Sequence, residues 1–122
     1  MPKELTISEV AERAWKIEKM IRELHPDKEA EFMTMMKLFE EVGELTEVVL
    51  RAKGRQSPHK TAFTKEQAAE ESGKEITDII IALAILSKYL GADLNFAIDK
   101  KLSEHEARWK KQKEMSKASL AK

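Results

Sequence analysis

The stretch KLFEEVGELTEVV, Lys37 to Val49, decides the fold because its apolar residues recur at helical spacing while carboxylates interrupt the stripe. At roughly 100° per residue, four of its apolar residues share one helix face: Leu38, Val42, Leu45 and Val49. Glu41 projects into this apolar arc, and Glu44 lies at its edge on the same face. A helix that places acids where its core should be needs a reason for doing so.

A second predicted helix carries the same interruption. The run IIIALAIL, residues 79–86, is apolar around nearly the whole circumference, which is typical of a buried helix. Glu71, Glu75 and Asp78 form one acidic stripe that leads into it, at positions i, i+4 and i+7. Unpaired buried carboxylates are costly and repel one another, so acids that are buried on two facing helices need a cation between them. A solvated acidic face explains either acidic pair taken alone, and side-chain cations can neutralise buried acids in part. Hard divalent metals prefer oxygen ligands, and we therefore predict a metal site here.

The composition indicates one all-α domain over residues 1–122, with a core at about 6–109 and a basic C-terminal extension at 110–122. The 22 basic and 22 acidic residues cancel, which argues against nucleic acid or an acidic membrane as a partner. Cysteine is absent, so thiolate metal sites are excluded. No apolar run reaches the ~20 residues of a membrane span. We expect a soluble, cytoplasmic protein.

Capping signals predict four helices joined by short turns and one long loop at residues 51–64. The predicted N-terminal caps are Thr6, Asp27, Thr64 and Asp93, and the predicted ends are His25, Ala52, Leu90 and a point between Trp109 and Lys117. The last seven residues are expected to fray. The first helix has one predicted apolar face: Ile7, Val10, Ala14, Ile17, Ile21 and Leu24.

The fourth helix offers counter-charges for the acids. Lys101, His105 and Arg108 lie at i, i+4 and i+7, so they share a face, and lysine and arginine both suit phosphate oxygens. A basic solvated face explains the same spacing, and both interpretations stay open on these residues alone.

These motifs together resemble a known family. EEVGEL at 40–45, EITD at 75–78 and KLSEHEARW at 101–109 are similar to the MazG-like all-α nucleoside triphosphate pyrophosphohydrolases, which include the dCTP pyrophosphatases. The recurring pattern of that superfamily is Glu-x-x-Glu on one helix and Glu-x-x-Asp on the next. The resemblance covers about residues 27–109 and implies a four-helix bundle-type MazG-like fold.

The resemblance also implies an activity and its residues. Members cleave a nucleoside triphosphate to the monophosphate and pyrophosphate with Mg²⁺, for which Mn²⁺ can substitute. The implied metal ligands are Glu41, Glu44, Glu75 and Asp78. The implied catalytic residues are Glu41, Glu44 and Glu40, and the implied substrate-binding residues are Lys101, Arg108, His105 and Lys37.

Three departures from the family pattern bear on these roles. His105 stands where small members often carry Asn, Lys74 stands where many carry another Glu, and the 51–64 loop lengthens the spacing between the motifs. A non-catalytic interaction module, in which acids pair with Lys101 and Arg108, is the main alternative, and an inactive nucleotide-binding relative lies between the two. A ferritin-like di-iron protein would need Glu-x-x-His on two helices, and the chain has none.

The assembly follows from the same apolar run. A helix that is apolar all round needs neighbours on every side, and three other helices of one chain cover it poorly. We therefore predict a homo-oligomer, a dimer or a tetramer, as the family resemblance also implies.

Overall fold

A computed structural model describes residues 2–121 and contains four helices: α1 (Ile7–Leu24), α2 (Ala30–Ala52), α3 (Lys65–Leu90) and α4 (Leu94–Leu120). No strand is present in these described residues, so the all-α prediction is confirmed for them. The chain divides into two compact units, the first ending at Gly91 and the second beginning at Ala92.

Local hydrogen bonds explain where three of the helices begin. Thr6 and Thr64 each close a capping box, with Glu9 and Gln67 respectively, as the sequence predicts. Asp93 accepts a hydrogen bond from the backbone N–H of Phe96 at 3.0 Å and so caps α4. These ends depend only on residues close in sequence.

The start of α2 differs from the prediction that Asp27 caps it. The Asp27 carboxylate accepts instead from the backbone N–H of Glu29 at 2.8 Å, which closes an Asx turn, and the helix begins after it at Ala30. At the other end of the chain, α4 extends to Leu120, beyond the predicted end at Lys117.

In the first unit, α3 packs against both α1 and α2. The core is made of small side chains, since Ala11 and Ala14 on α1 meet Ala84 on α3, and Val10 and Ile85 pack against them. Small residues allow the two helices to approach closely, so the buried face of α1 is narrow.

The apolar face predicted for α1 is buried only in part, because Ile17, Ile21 and Leu24 are exposed. Its buried residues are Ala11, Ala14 and Glu18. Within this chain α3 is buried at Ala82, Ala84 and Leu86, while other large apolar side chains of the helix are exposed, and their burial by a second copy stays a prediction. The exposed side chains are Ile76, Ile80, Ile81, Leu83 and Leu90.

The loop between α2 and α3 is tied back to the end of α2. The Arg51 guanidinium lies 3.8 Å from the centre of the Phe63 ring and donates from Nε to the Thr61 carbonyl at 2.8 Å. Lys60 pairs with Glu47 at 2.7 Å. These contacts tie the loop residues that precede α3 to the end of α2.

α4 forms the second unit, and no residue of it is buried. The bundle-type arrangement of all four helices stays a prediction.

Candidate metal centre and adjoining cleft

The carboxylates of α2 lie in different environments along one helical turn. Glu41 is only 4 % exposed, as expected for an acid that projects into the apolar arc. Glu40 and Glu44 are exposed. The buried face of α2 is thus interrupted by a single acid.

α3 brings two further acids to Glu41. One carboxylate oxygen from each of Glu41, Glu75 and Asp78 lies within 4.8 Å of the others, and we call these residues the acidic trio. Glu75 is half-buried and Asp78 is exposed, so the trio opens to solvent on the Asp78 side. Two of the three acids are on α3, and the packing of α3 on α2 supplies the third.

Glu44, the fourth predicted ligand, lies beside the trio rather than within it. Its side chain is close enough to Glu75 to affect the pKa of that carboxyl. The structure therefore brings three of the four predicted ligands into one cluster, with Glu44 adjacent.

Lys37 supplies the positive charge nearest to Glu41. Its Nζ lies 3.2 Å from Glu41 Oε1 and 3.8 Å from a carboxylate oxygen of Glu40. Burial acts to raise the pKa of Glu41, but the hydrogen bond and charge of Lys37, together with the neighbouring Glu75 and Glu44 side chains, hold that pKa below its ordinary value. Glu41 is therefore ionised at neutral pH.

Glu75 has the opposite shift. Burial first, and then the neighbouring Glu44 and Glu41 carboxylates, raise the pKa of Glu75 to about 7. Like charges this close cannot all ionise without a cation, so Glu75 holds a proton near neutrality when none is bound.

The trio contains polar atoms without partners. Glu41 Oε2 and Glu75 Oε2 are buried and have no hydrogen-bond partner among the described residues. Leaving such atoms unsatisfied is costly, and a hard divalent cation coordinated by these carboxylates would satisfy both. The donor set, all oxygen and without sulfur or imidazole, therefore fits Mg²⁺ or Mn²⁺.

A cleft of about 480 Å³ adjoins the trio between α1, α2 and α3. Glu41, Asp78 and Lys37 line one part of it, and Glu18 and Arg22 of α1 line another. Its volume lies within the range of small-molecule sites in proteins.

Glu18 belongs to a buried polar network that the sequence analysis missed. Glu18 is 5 % exposed, its Oε2 accepts from the Tyr89 hydroxyl at 2.5 Å, and Arg22 Nε lies 3.5 Å from the same oxygen. Trp15 packs edge-on against the Tyr89 ring with centroids 4.8 Å apart. We call Glu18, Arg22 and Tyr89 the Glu18 network.

The signal for this network is present in the sequence. Glu18 follows Ala11 and Ala14 at helical spacing, just as Glu41 interrupts the face of α2. The predicted apolar face of α1 includes Ala14 together with Ile17 and Ile21, and the structure buries the alanine side of that face, where Glu18 lies.

The remaining predicted site residues lie on α4. Lys101, His105 and Arg108 are exposed, within the second unit. Their role toward the acids of the first unit stays a prediction. Lys74, the second departure from the family pattern, pairs with Glu71 at 3.2 Å.

Comparison of the chain with protein-family models, with curated proteins and with solved structures found no match. Within residues 2–121, each helix taken singly is too short or too polar to cross a membrane. The functional interpretation therefore depends on the site itself and on the motif resemblance.

Proposed function

We propose that this protein is a Mg²⁺-dependent nucleotide pyrophosphohydrolase that cleaves nucleoside triphosphates to monophosphates and pyrophosphate. The observation that carries this proposal is the acidic trio, in which a buried carboxylate keeps an unpartnered oxygen beside a cleft of ligand size. The resemblance of EEVGEL and EITD to the MazG-like enzymes supports the same reaction class.

Each carboxylate of the site has a proposed role. Glu41, Glu75 and Asp78 would hold the metal, with Glu44 as a further ligand. When bound, the divalent cation supplies charge that offsets the phosphate oxygens in the transition state. Glu75 would have to give up its proton to serve as a ligand, since ligating carboxylates are ionised.

An exposed carboxylate on α2 can act as the general base. Glu44 lies beside Glu75 and Glu40 lies one residue before Glu41, and both reach solvent, so either can accept a proton from an attacking water. Lys37, already held at Glu41, is placed to contact a phosphate oxygen at the same spot.

Lys101, His105 and Arg108 complete the proposed phosphate contacts. They would bring positive charge from one face of α4 to the negatively charged phosphates of the substrate. His105, in place of the common Asn, would donate a hydrogen bond to a phosphate or sugar oxygen.

We also propose that the protein is cytoplasmic and forms a homo-oligomer. Ile76, Ile80 and Leu83 of α3 are exposed, and a second copy that covers them would remove them from water. Light scattering coupled to size exclusion tests this directly, and a monomer at micromolar concentration would contradict it.

The reaction class is tested by pyrophosphate release from a panel of ribo- and deoxyribonucleoside triphosphates, with Mg²⁺ and with EDTA. Turnover should require the metal, yield the monophosphate and disappear in Glu44→Ala. Glu47→Ala is the matched control, because it removes a carboxylate three residues further along α2 that pairs with Lys60. Equal loss in both variants, or no turnover of any nucleotide, would contradict the proposal.

One observation favours a second candidate, a non-catalytic module with a structural acid–base network. Lys37 already neutralises one oxygen of Glu41 at 3.2 Å without any metal. The two candidates separate by thermal unfolding, because only a metal site predicts a rise of several degrees with Mg²⁺ that Glu41→Ala abolishes.

A further inference from the structure

The Glu18 network lies against the cleft and has no part in the metal centre. On α3 the cleft runs from Asp78 to Ile85, which are seven residues and therefore about 10 Å apart along the helix axis at 1.5 Å per residue. Glu18 is bonded to Tyr89, one turn beyond Ile85. A ligand that spans the cleft therefore meets the acidic trio at one end and Glu18 at the other.

Each end of the cleft keeps a buried polar atom without a partner. At one end it is an acceptor, Glu41 Oε2, and at the other it is a donor, Arg22 Nε. The Glu18 carboxylate has about four acceptor positions, and both Tyr89 and Arg22 approach the same oxygen, Oε2. Two of the residues that line the cleft can therefore still form hydrogen bonds: Arg22 as a donor and Glu18 as an acceptor.

The walls between the two ends are apolar. Ile21 of α1, Met33 of α2, and Ile81 and Ile85 of α3 line the cleft. Apolar walls that end in a donor–acceptor pair suit an aromatic heterocycle, whose faces contact the walls and whose polar edge meets the pair. A carboxylate accepts hydrogen bonds and donates none when ionised, so it selects an edge that carries N–H groups.

We propose that the cleft between α1, α2 and α3 binds the base of the nucleotide, and that Glu18 selects bases bearing an exocyclic amino group. Arg22 donates to the ring acceptor next to that amino group, and Tyr89 is a positioning residue that fixes the Glu18 carboxylate. This inference rests on the proposed function only in taking the heterocycle to belong to a nucleotide.

The test uses cytidine and uridine, which differ at one position, an amino against an oxo group. Binding is measured in EDTA by the emission of Trp15, which reports on Tyr89, in the full chain carrying Trp109→Phe so that one of its two tryptophans remains. Cytidine should bind at least about tenfold more tightly than uridine, because a hydrogen bond to a charged group discriminates on that scale.

Glu18→Gln is the decisive variant. Its amide oxygen can still accept from Tyr89, so the fold is kept, but the side chain now both donates and accepts, and the preference for cytidine should shrink toward equality. Glu12→Gln is the matched control on α1, since Glu12 pairs with Lys88 outside the cleft. A preference that survives Glu18→Gln, or no binding of either nucleoside to the wild type, would overturn the inference.

A second variant leaves the carboxylates intact. Thr34→Phe introduces a ring into the cleft wall, and circular dichroism reports whether the fold is kept. Loss of cytidine binding with the fold retained is expected, and unchanged binding would remove the cleft as the site. Should Glu18→Gln collapse the fold, this variant still decides the question.

The outcomes distinguish this inference from the proposed function. Pyrophosphate release with no change in the CTP-to-UTP ratio of kcat/KM on Glu18→Gln would refute the base site and leave the hydrolase standing. Cytidine binding that depends on Glu18, without hydrolysis of any triphosphate, would support the base site and refute the hydrolase.

Discussion

Glu41 and Glu18 are both buried carboxylates that line one cleft, yet their surroundings differ. Glu18 receives a hydroxyl hydrogen bond from Tyr89 and lies beside Arg22, so its charge is held by the protein itself. Glu41 has Lys37 at one oxygen, no partner at the other, and two more acids within 4.8 Å. Both carboxylates are buried, so burial does not distinguish them. The Glu41 oxygen that has no hydrogen-bond partner is the feature that indicates a cation site.

Glu41→Gln is expected to have the largest effect, because it removes the most buried ligand while keeping its shape. The rate of pyrophosphate release should fall by at least about a hundredfold. This exceeds the loss that is typical when a residue that hydrogen-bonds to a metal ligand is replaced. The rise in thermal midpoint with Mg²⁺ should also disappear. Glu18→Gln, at the other buried carboxylate, should keep that Mg²⁺ response, and loss of the response in both variants would remove the distinction between the two ends.

The helix ends and the acids of the trio could be predicted because both depend on short-range rules. Thr6, Thr64 and Asp93 cap helices through residues three positions away, and Glu41, Glu75 and Asp78 stand out by interrupting a 3.6-residue period. Whether two such faces meet depends on how α2 crosses α3, which no local pattern states.

The parts that could not be predicted depend on packing distance. The close approach of α1 to α3 at Ala11, Ala14 and Ala84 rotates the buried face of α1 away from its isoleucines and toward Glu18. The packing distance between α2 and α3 also decides that Glu44 lies outside the trio, although Glu44 follows Glu41 at a spacing that is suitable for a second ligand. Asp27 fails as a cap because a turn competes for its carboxylate.

Tyr89→Phe tests whether the protein alone satisfies Glu18. Deleting the hydroxyl leaves a buried carboxylate short of a donor, so the free energy of unfolding should fall by about 1.5–3 kcal/mol. Burial and Glu18 raise the pKa of Tyr89 to about 12, so the hydroxyl is a donor across the working pH range. Urea unfolding measures the loss, which Mg²⁺ should not restore. Restoration by Mg²⁺ would mean that the two ends are coupled.

Lys37→Met tests the corresponding partner of Glu41. Lys37 is well exposed, so solvent screens the pair, and a loss of about 1–2 kcal/mol is expected in EDTA. Mg²⁺ should abolish this loss, because a bound cation takes over the neutralisation of Glu41. Lys60→Met, which breaks the pair with Glu47 at the end of α2, is the control and should respond equally with and without Mg²⁺.

Glu75→Gln is expected to have the smallest effect on stability. It tests the difference between the metal centre and the Glu18 network through the pH dependence of unfolding. Because the pKa of Glu75 rises from its ordinary 4.5 to about 7 on folding, the folded metal-free protein binds more protons than the unfolded chain between these values. Its contribution to stability is therefore full below about pH 4.5 and is lost as pH rises through 7. Wild type should lose stability relative to Glu75→Gln over this window in EDTA.

Mg²⁺ should reverse that trend in the wild type, because each bound cation displaces the Glu75 proton and so binds more tightly as pH rises. Thermal midpoints measured from pH 5 to 8, with and without Mg²⁺, separate the two effects. Glu71→Gln, one turn earlier on α3 and paired with Lys74, should run parallel to the wild type. If Glu75→Gln also ran parallel to it, Glu75 would not hold the proton that the cation displaces, and the unpartnered oxygens of the trio would lose their link to metal binding.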